Sequence, residues 1–304
     1  MNKISIICPC YNEEDNVTLF YKEFVKVKSL GNYDYEIIFI DDGSRDATFK
    51  KIEECRNNDR RVKGISFSRN FGKEAAIFAG LRNCQGDCCI VIDVDLQHPL
   101  WVIPQMVEKW EEGYEIVEGV KQDRGKEGII HKAMAKIFYR IISNLVGVDM
   151  ANSSDFKLLD RKVIESLSTL KERNTFFRAL SFWMGYRSIS IPFFVEERKK
   201  GHTKWSSISL IKYGLRNIVS FTYLPLYFIM WIGGGMLIFS LFMGVDSIIS
   251  FLQGNSTAGY PSLILLIVTT SGCIILCLGI IGVYIAKIYD EIKQRPQYII
   301  NQKI

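Results

Sequence analysis

Residues 89–99 read CIVIDVDLQHP, and the reading of this stretch decides the fold. Ile90, Val91 and Ile92 form an apolar run without polar alternation, the pattern of a strand buried on both faces. The run ends in Asp93 and Asp95, one residue apart, and Pro99 closes the stretch. A strand covered on both faces belongs to a sheet sandwiched between helices. In such sheets ligands bind beyond the carboxyl ends of the strands. On an extended chain the two carboxylates point to opposite sides. A turn at Val94 lets both converge on one region, where fixed carboxylates with an open side suit a hard divalent cation bound to substrate phosphates. The plainer alternative is an acidic loop in which Asp serves as a turn or cap residue.

Upstream, the same architecture repeats. Strands are expected at Ile4 to Cys8, Tyr35 to Ile40, Val62 to Phe67 and Cys88 to Ile92. Between them, Glu14 to Leu30, Asp46 to Asn57 and Gly72 to Asn83 carry helical spacing of apolar residues. This is a βαβ series, so the chain is expected to be α/β with a mixed, mostly parallel sheet. Polar loops follow all four strands: PCYNEE (9–14), DDGSRDAT (41–48), SRNFGKEAA (68–76) and DVDLQHP (93–99). Four polar loops at one rim predict one site. No Gly-x-x-x-x-Gly-Lys loop and no Gly-x-Gly-x-x-Gly follows the first strand, which argues against P-loop NTPases and dinucleotide oxidoreductases. Tyr11 is placed to stack on a base, Asp42 to accept from a base N–H or ribose hydroxyls, and Lys73, Arg69 and Arg124 to contact phosphate. Taken singly, each is an ordinary surface residue or cap; Asp46, for one, suits the start of the next helix.

The remainder of the chain reads differently. Of 304 residues, 48% are hydrophobic, and the mean hydropathy of +0.09 is high for a purely soluble protein. From Asn217 to Val245 there is no charge, a run longer than the roughly 20 residues a spanning helix needs. Ser247 to Ala286 again lacks Asp, Glu, Lys and Arg, and the polar patch Gln253 to Ser262 divides the two runs. Two transmembrane helices, about 223–246 and 262–286, are expected; two buried core helices are the alternative. Arg198, Lys199, Lys200, Lys204, Lys212 and Arg216 precede the first span, and Lys287, Lys293, Arg295 and Lys303 follow the second. The intervening loop has neither Lys nor Arg, so a multi-pass inner-membrane protein is expected with both termini and the first two thirds of the chain in the cytoplasm. The short ISIICPC run at the amino terminus is not expected to be a signal peptide. Two segments are amphipathic. Within 128–148 an apolar face (Ile130, Met134, Ile137, Phe138, Ile141, Leu145) lies apart from a basic stripe of Lys132, Lys136 and Arg140; a second segment, 207–221, feeds into the first span. Both suit the surface of an anionic bilayer, and both also suit packing on the protein itself. The expected domains are therefore 1–204, a juxtamembrane helix 205–222, and 223–304 with two spans and a short tail. A net charge of +5 without a basic stripe interleaved with aromatics does not suggest nucleic acid. The eight cysteines form no zinc spacing and are expected to be small buried residues.

A resemblance now rests on specific residues. ICPCYNEEDNV (7–17), FIDDGSRDAT (39–48), FSRNFGKEAA (67–76) and VIDVDLQHP (91–99), in this order, resemble family 2 glycosyltransferases of GT-A fold, a Rossmann-like nucleotide-sugar-binding domain. SSDFKLLDRKV (153–163), ERKKGHTKWS (197–206) and the two spans narrow the likeness to the polyprenyl-phosphate branch, which holds bactoprenol glucosyltransferases and dolichol-phosphate mannose synthases. Three positions depart from that branch: His98 stands where it often has Asp, Lys157 where it often has Arg, and Thr203 where it often has Ser. The resemblance implies that Asp93 and Asp95, assisted by Gln97, hold Mg²⁺ or Mn²⁺. It implies that Pro9, Tyr11, Asn12, Glu13 and Asp42 hold the nucleotide; Lys73, Arg124 and Val94 are further candidate residues of the donor site. Arg198 and Lys204 match a basic loop that closes on phosphates. Asp155 matches the acidic residue assigned as base. The implied reaction moves a sugar, glucose from UDP-glucose being the first expectation, to undecaprenyl phosphate with inversion. GDP-mannose and a UDP-linked modified pentose are alternative donors. The implied partners are the donor, the lipid phosphate and the bilayer, with a homo-oligomer left open. A processive polysaccharide synthase would carry a Gln-x-x-Arg-Trp motif and more spans. A transporter with a nucleotide-binding regulatory domain would need polar residues along a pore, and Asp246 is the only charge between the long runs.

Overall fold

The structure, a computed structural model, describes residues 2–27, 33–121, 153–170, 172, 175–194, 224–253 and 260–304. Met1–Lys212 and Pro296–Ile304 make one unit, and Tyr213–Arg295 a second. The amphipathic segments 128–148 and 207–221, and Arg124, Arg198 and Lys204, lie outside the described residues.

The first unit is built on β1 (Lys3–Cys10). Ile4, Ile6, Ile7 and Cys8 are all fully buried, because β1 lies between two parallel neighbours, β2 (Asp34–Asp41) and β4 (Cys88–Val91), with helices over both faces. Further strands are β3 (Val62–Phe67), β5 (Ile116–Lys121), β6 (Lys157–Asp160), β7 (Ser188–Phe193) and β8 (Ile300–Lys303). The sheet order is β7-β5-β6-β4-β1-β2-β3-β8. Within it, β6 and β8 run against the other strands, giving a mixed, mostly parallel sheet.

Helices α1 (Glu14–Phe24), α2 (Thr48–Asn58) and α4 (Val102–Glu111) cover one face; α3 (Lys73–Asn83) covers the other, in contact with α5 (Arg161–Thr169). Helices α1 and α4 each bury one stripe, Val17, Phe20 and Phe24 from α1 and Val102, Ile103, Met106 and Val107 from α4, whereas α3 is buried continuously from Ala75 to Leu81. Phe20 stacks on Phe24 and meets Phe39 of β2 edge-on. Helix α1 ends at Phe24, short of the expected Leu30. Helix α2 begins two residues after the expected Asp46, which instead accepts hydrogen bonds from the Thr48 amide and hydroxyl. Gly80 lets α3 sit directly on β1: a Cβ there would stand 2.3 Å from Ile7 Cγ2. Six of the eight cysteines are buried in this unit and all eight are free thiols.

A short helix, α6 (Phe177–Trp183), precedes β7. The second unit contains α7 (Leu224–Leu252) and α8 (Tyr260–Ile292). Both are long and apolar enough to cross a membrane, with mean hydropathy 1.9 over Leu226–Met243 and 2.1 over Thr269–Ile292. Neither window is buried, so these are not core helices of a soluble domain. The carboxyl-terminal segment, read from sequence as a short tail, instead supplies β8. It pairs antiparallel with β3, exchanges backbone hydrogen bonds between Ile304 and Gly64, and stacks Tyr298 on Phe67 at 4.9 Å.

Candidate active site

The carboxyl ends of β1 to β4 carry the polar loops to one rim, and side chains knit those loops together. Asn12, in left-handed conformation (φ 51), donates its amide to Ser44 Oγ and accepts from the Arg45 amide, both at 2.9 Å. The Glu13 amide reaches Thr48 Oγ1 at 2.8 Å. Pro9 and Tyr11 are half-buried beside them. The loops after β2 and β3 touch at Gly43 (φ 66), where a Cβ would stand 2.3 Å from the Arg69 carbonyl carbon, so only glycine fits. That closeness lets Asp42 accept from the Phe71 amide at 2.7 Å and the Gly72 amide at 2.9 Å. Burial pushes the Asp42 carboxyl up to about 6, against the lowering effect of those two amides. Asp42 thus holds the start of α3, and with it Lys73.

After β4 the chain turns at Val94 and Asp95, and Leu96 takes a left-handed conformation (φ 58). Val94, Leu96 and His98 point into the core, while Asp93, Asp95 and Gln97 remain partly exposed on the accessible side. The Gln97 amide donates to Asp95 Oδ1 at 3.1 Å, fixing the turn. His98 sits against Phe156 (5.1 Å, stacked) and Phe193 (5.6 Å, edge-on). Burial there pulls its imidazole down to about 4, outweighing the Asp93 carboxylate, and its Nδ1 has no partner among the described residues.

Asp155, 62 positions downstream of Asp93 by number, arrives at the same rim because β6 enters the sheet antiparallel to β4. Lys157 pairs with Val91, so the residues just before β6 lie beside those just after β4. Lys73 Nζ bridges the two aspartates, at 2.7 Å from Asp93 and 2.8 Å from Asp155. Asp155 also takes a two-pronged ion pair from Arg178 of α6, with Nε 2.6 Å from Oδ1 and Nη2 2.9 Å from the Oδ2 that Lys73 contacts. Burial would raise the Asp155 carboxyl, but the Arg178 guanidinium and Lys73 ammonium hold it well below the usual carboxylate range. Burial likewise opposes the charge on Lys73, and the Asp155 and Asp93 carboxylates still push its ammonium up. Asp93 lies below its ordinary value because Lys73 and His98 outweigh burial. Lys121, at the end of β5, is lowered by burial and by Arg178.

The sequence-predicted Asp93, Asp95, Gln97, Lys73, Asp42 and Asp155 therefore gather along adjoining strand ends. Arg178 was not anticipated. Its signal was a lone arginine inside the aromatic stretch FFRALSFW (176–183), which reads as surface charge until α6 is seen to set it, half-buried, against Asp155. Among the described residues no three His, Cys, Asp or Glu side chains converge as a metal cage. Asp93, Asp95 and Gln97 instead present hard oxygen donors on one accessible side. That arrangement fits a divalent cation that completes its shell from phosphate oxygens and water.

A mostly parallel sheet with carboxylates and cations gathered at its strand ends places a polar ligand site at that rim. The sequence model described as Glycosyl transferase family 2 matches residues 5–168. The chain belongs to that family. It is 40% identical over 301 residues to the putative glycosyltransferase CsbB of Bacillus subtilis (strain 168), covering 98% of this chain and 91% of that protein. It is 38% identical over 302 residues to a bactoprenol glucosyl transferase of Shigella phage SfII, covering 99% and 98%. Among solved structures, mannosyl-3-phosphoglycerate synthase from Rubrobacter xylanophilus is similar with a TM-score of 0.48 and 15% identity, covering 72% of this chain and 73% of that one.

Proposed function

We propose that this protein is a polyprenyl-phosphate glycosyltransferase that moves a sugar, best read as glucose from UDP-glucose, to undecaprenyl phosphate at the cytoplasmic face of the membrane. The observation that carries this reading is the extent of the similarity: it runs over 99% of the chain, through both apolar helices, to relatives named bactoprenol glucosyl transferase. The strand-end carboxylates and cations support the chemistry.

In this reading Asp93, Asp95 and Gln97 hold Mg²⁺ or Mn²⁺, and Pro9, Tyr11, Asn12, Glu13, Asp42 and Val94 shape the nucleotide side. When bound, the cation supplies positive charge for the leaving diphosphate. Lys73, with Arg124, Arg198 and Lys204, adds fixed positive charge where the diphosphate develops its negative charge. An oxygen of the lipid phosphate forms the new bond to the anomeric carbon. The old bond to the nucleotide diphosphate breaks on the opposite face, its electron pair leaving on the β-phosphate, so the centre inverts. The acceptor oxygen is already anionic, and Asp155 is held ionised by two cations; both facts favour a positioning role for Asp155 over proton abstraction.

The test is direct. Membranes containing the protein are given undecaprenyl phosphate and, separately, labelled UDP-glucose, GDP-mannose and a UDP-pentose, and the lipid is extracted. Label is expected in lipid from UDP-glucose, and excess EDTA or Asp95→Ala should abolish it. Lipid label from none of the three donors refutes the reading, and undiminished turnover in EDTA refutes its metal dependence.

A further inference from the structure

Behind Asp155 and Arg178 lies a second, wholly buried set of charges. Glu118 of β5 and Lys157 of β6 stand opposite each other in the antiparallel pair, 3% and 0% exposed, with Nζ 3.2 Å from Oε1. Each group reaches further. Glu118 Oε1 also accepts from Ser153 Oγ at 2.6 Å and the Ser154 amide at 3.0 Å, the two residues that lead into Asp155. Lys157 Nζ also donates to Ser181 Oγ at 2.9 Å and lies 3.8 Å from the centre of the Phe182 ring, both on α6. Ser181 Oγ in turn donates to the Arg178 carbonyl at 3.0 Å.

We propose that Glu118 and Lys157 are positioning residues for glycosyl transfer: Glu118 sets the segment that presents Asp155, Lys157 sets the helix that presents Arg178, and their mutual pairing holds the two presentations in register. The inference rests on the function proposed above. Its physical ground is that a buried ion pair is a poor source of stability. Desolvating two charges roughly cancels their attraction, and apolar residues of the same volume pack as well or better. What the pair adds is direction. Among the described residues, the side-chain hydrogen bonds of Glu118 beyond Lys157 go to the chain entering Asp155, and the side-chain contacts of Lys157 beyond Glu118 go to the helix carrying Arg178. A loss of register of a fraction of an ångström at Asp155 would be felt in the transition state, where position matters most, and little in nucleotide binding at the other strand ends.

The experiment uses the full-length protein in membranes or detergent. The double variant Glu118→Gln with Lys157→Met removes both charges at nearly constant volume, so no uncompensated charge is left buried. The single variant Ser181→Ala cuts only the link from Lys157 to α6 and keeps the test decisive where the double variant fails to fold. For a folded variant, kcat for transfer is expected to fall at least about tenfold, while the Kd for UDP with Mg²⁺ stays within about twofold. Hydrogen exchange at residues 153–158 should quicken. A folded variant with unchanged kcat overturns the proposal. So does a parallel collapse of melting temperature, UDP affinity and kcat, which marks a merely structural pair. Absence of transfer in the wild-type control is a different failure: it overturns the proposed function, and this inference with it.

Discussion

Asp155 is gripped by both Arg178 and Lys73, and this crowding of cations decides what its carboxylate can do. A carboxylate held so firmly ionised is a weak proton acceptor and a good anchor. Asp155→Asn keeps the shape and removes the charge that fixes both cations. Transfer is expected to fall by about 100-fold or more with UDP affinity nearly intact, since a contact realised in the transition state lowers kcat without weakening donor binding. Calorimetric titration with UDP and Mg²⁺ beside the transfer assay checks this; near-normal transfer would remove Asp155 from the reaction. His98 makes a separate statement about stability. Its folded value of about 4 lies below the roughly 6.5 of an unfolded chain. Between those values the unfolded chain takes up a proton that the folded protein refuses, so stability falls as pH drops from about 6.5 to about 4. His98→Phe should flatten this part of the curve relative to wild type, read as melting temperature against pH; identical curves would show that the imidazole takes up its proton equally readily in the folded and unfolded chain. Asp93 and Asp95 were legible from sequence because a run of buried residues followed by polar ones is a local pattern, whereas Gln97 came only from the family resemblance. Arg178 was not, because nothing local distinguishes an arginine that will meet a distant carboxylate from one that will meet water.

Two elements decide how the site is closed and braced. Strand β6 inserts antiparallel between β4 and β5, and so brings the residues before it to the rim where β4 ends. Strand β8 covers the outer edge of β3, whose backbone groups would otherwise be open to pairing. Its segment also donates from Ile304 to the Gly64 carbonyl, accepts at Ile299 from Ser68, and stacks Tyr298 on Phe67 just ahead of the loop that carries Lys73. Deleting residues 297–304 is expected to destabilise the first unit by about 2 kcal/mol, mostly through the lost burial of Tyr298 and Ile304. The loss should appear as a lower melting temperature and faster hydrogen exchange along β3; unchanged exchange there would mean that β8 does not brace the sheet. From sequence, β1 to β4 were readable as apolar runs and α1 to α3 as periodic stripes. INQK (300–303) has three polar residues in succession after Ile300 and is exposed throughout, so no periodicity marks it as a strand.

At the scale of the whole molecule, the chain leaves the first unit, passes through two helices long enough to span a bilayer, and returns to the same unit as β8. Two crossings would return the chain to the side where it began, the arrangement expected from the positive charge that flanks both helices and is missing from the loop between them. The expected topology has both termini inside and the Gln253 to Ser262 loop outside. A cysteine at Ser256 should then react with an impermeant thiol reagent in intact cells, whereas labelling only after permeabilisation would reverse the assignment. What the sequence determined by itself was whatever neighbouring residues encode together: the βαβ order, the acidic end of β4, the apolar helices and the charge asymmetry around them. What only the tertiary structure decided was the pairing of distant segments: β6 beside β4, β8 beside β3, Arg178 on Asp155, and Lys157 buried against Glu118 rather than solvated. The physical reason is that strand period and helix period are written in consecutive residues, whereas register and ion pairing depend on which edges and charges remain unmatched after the local elements have formed.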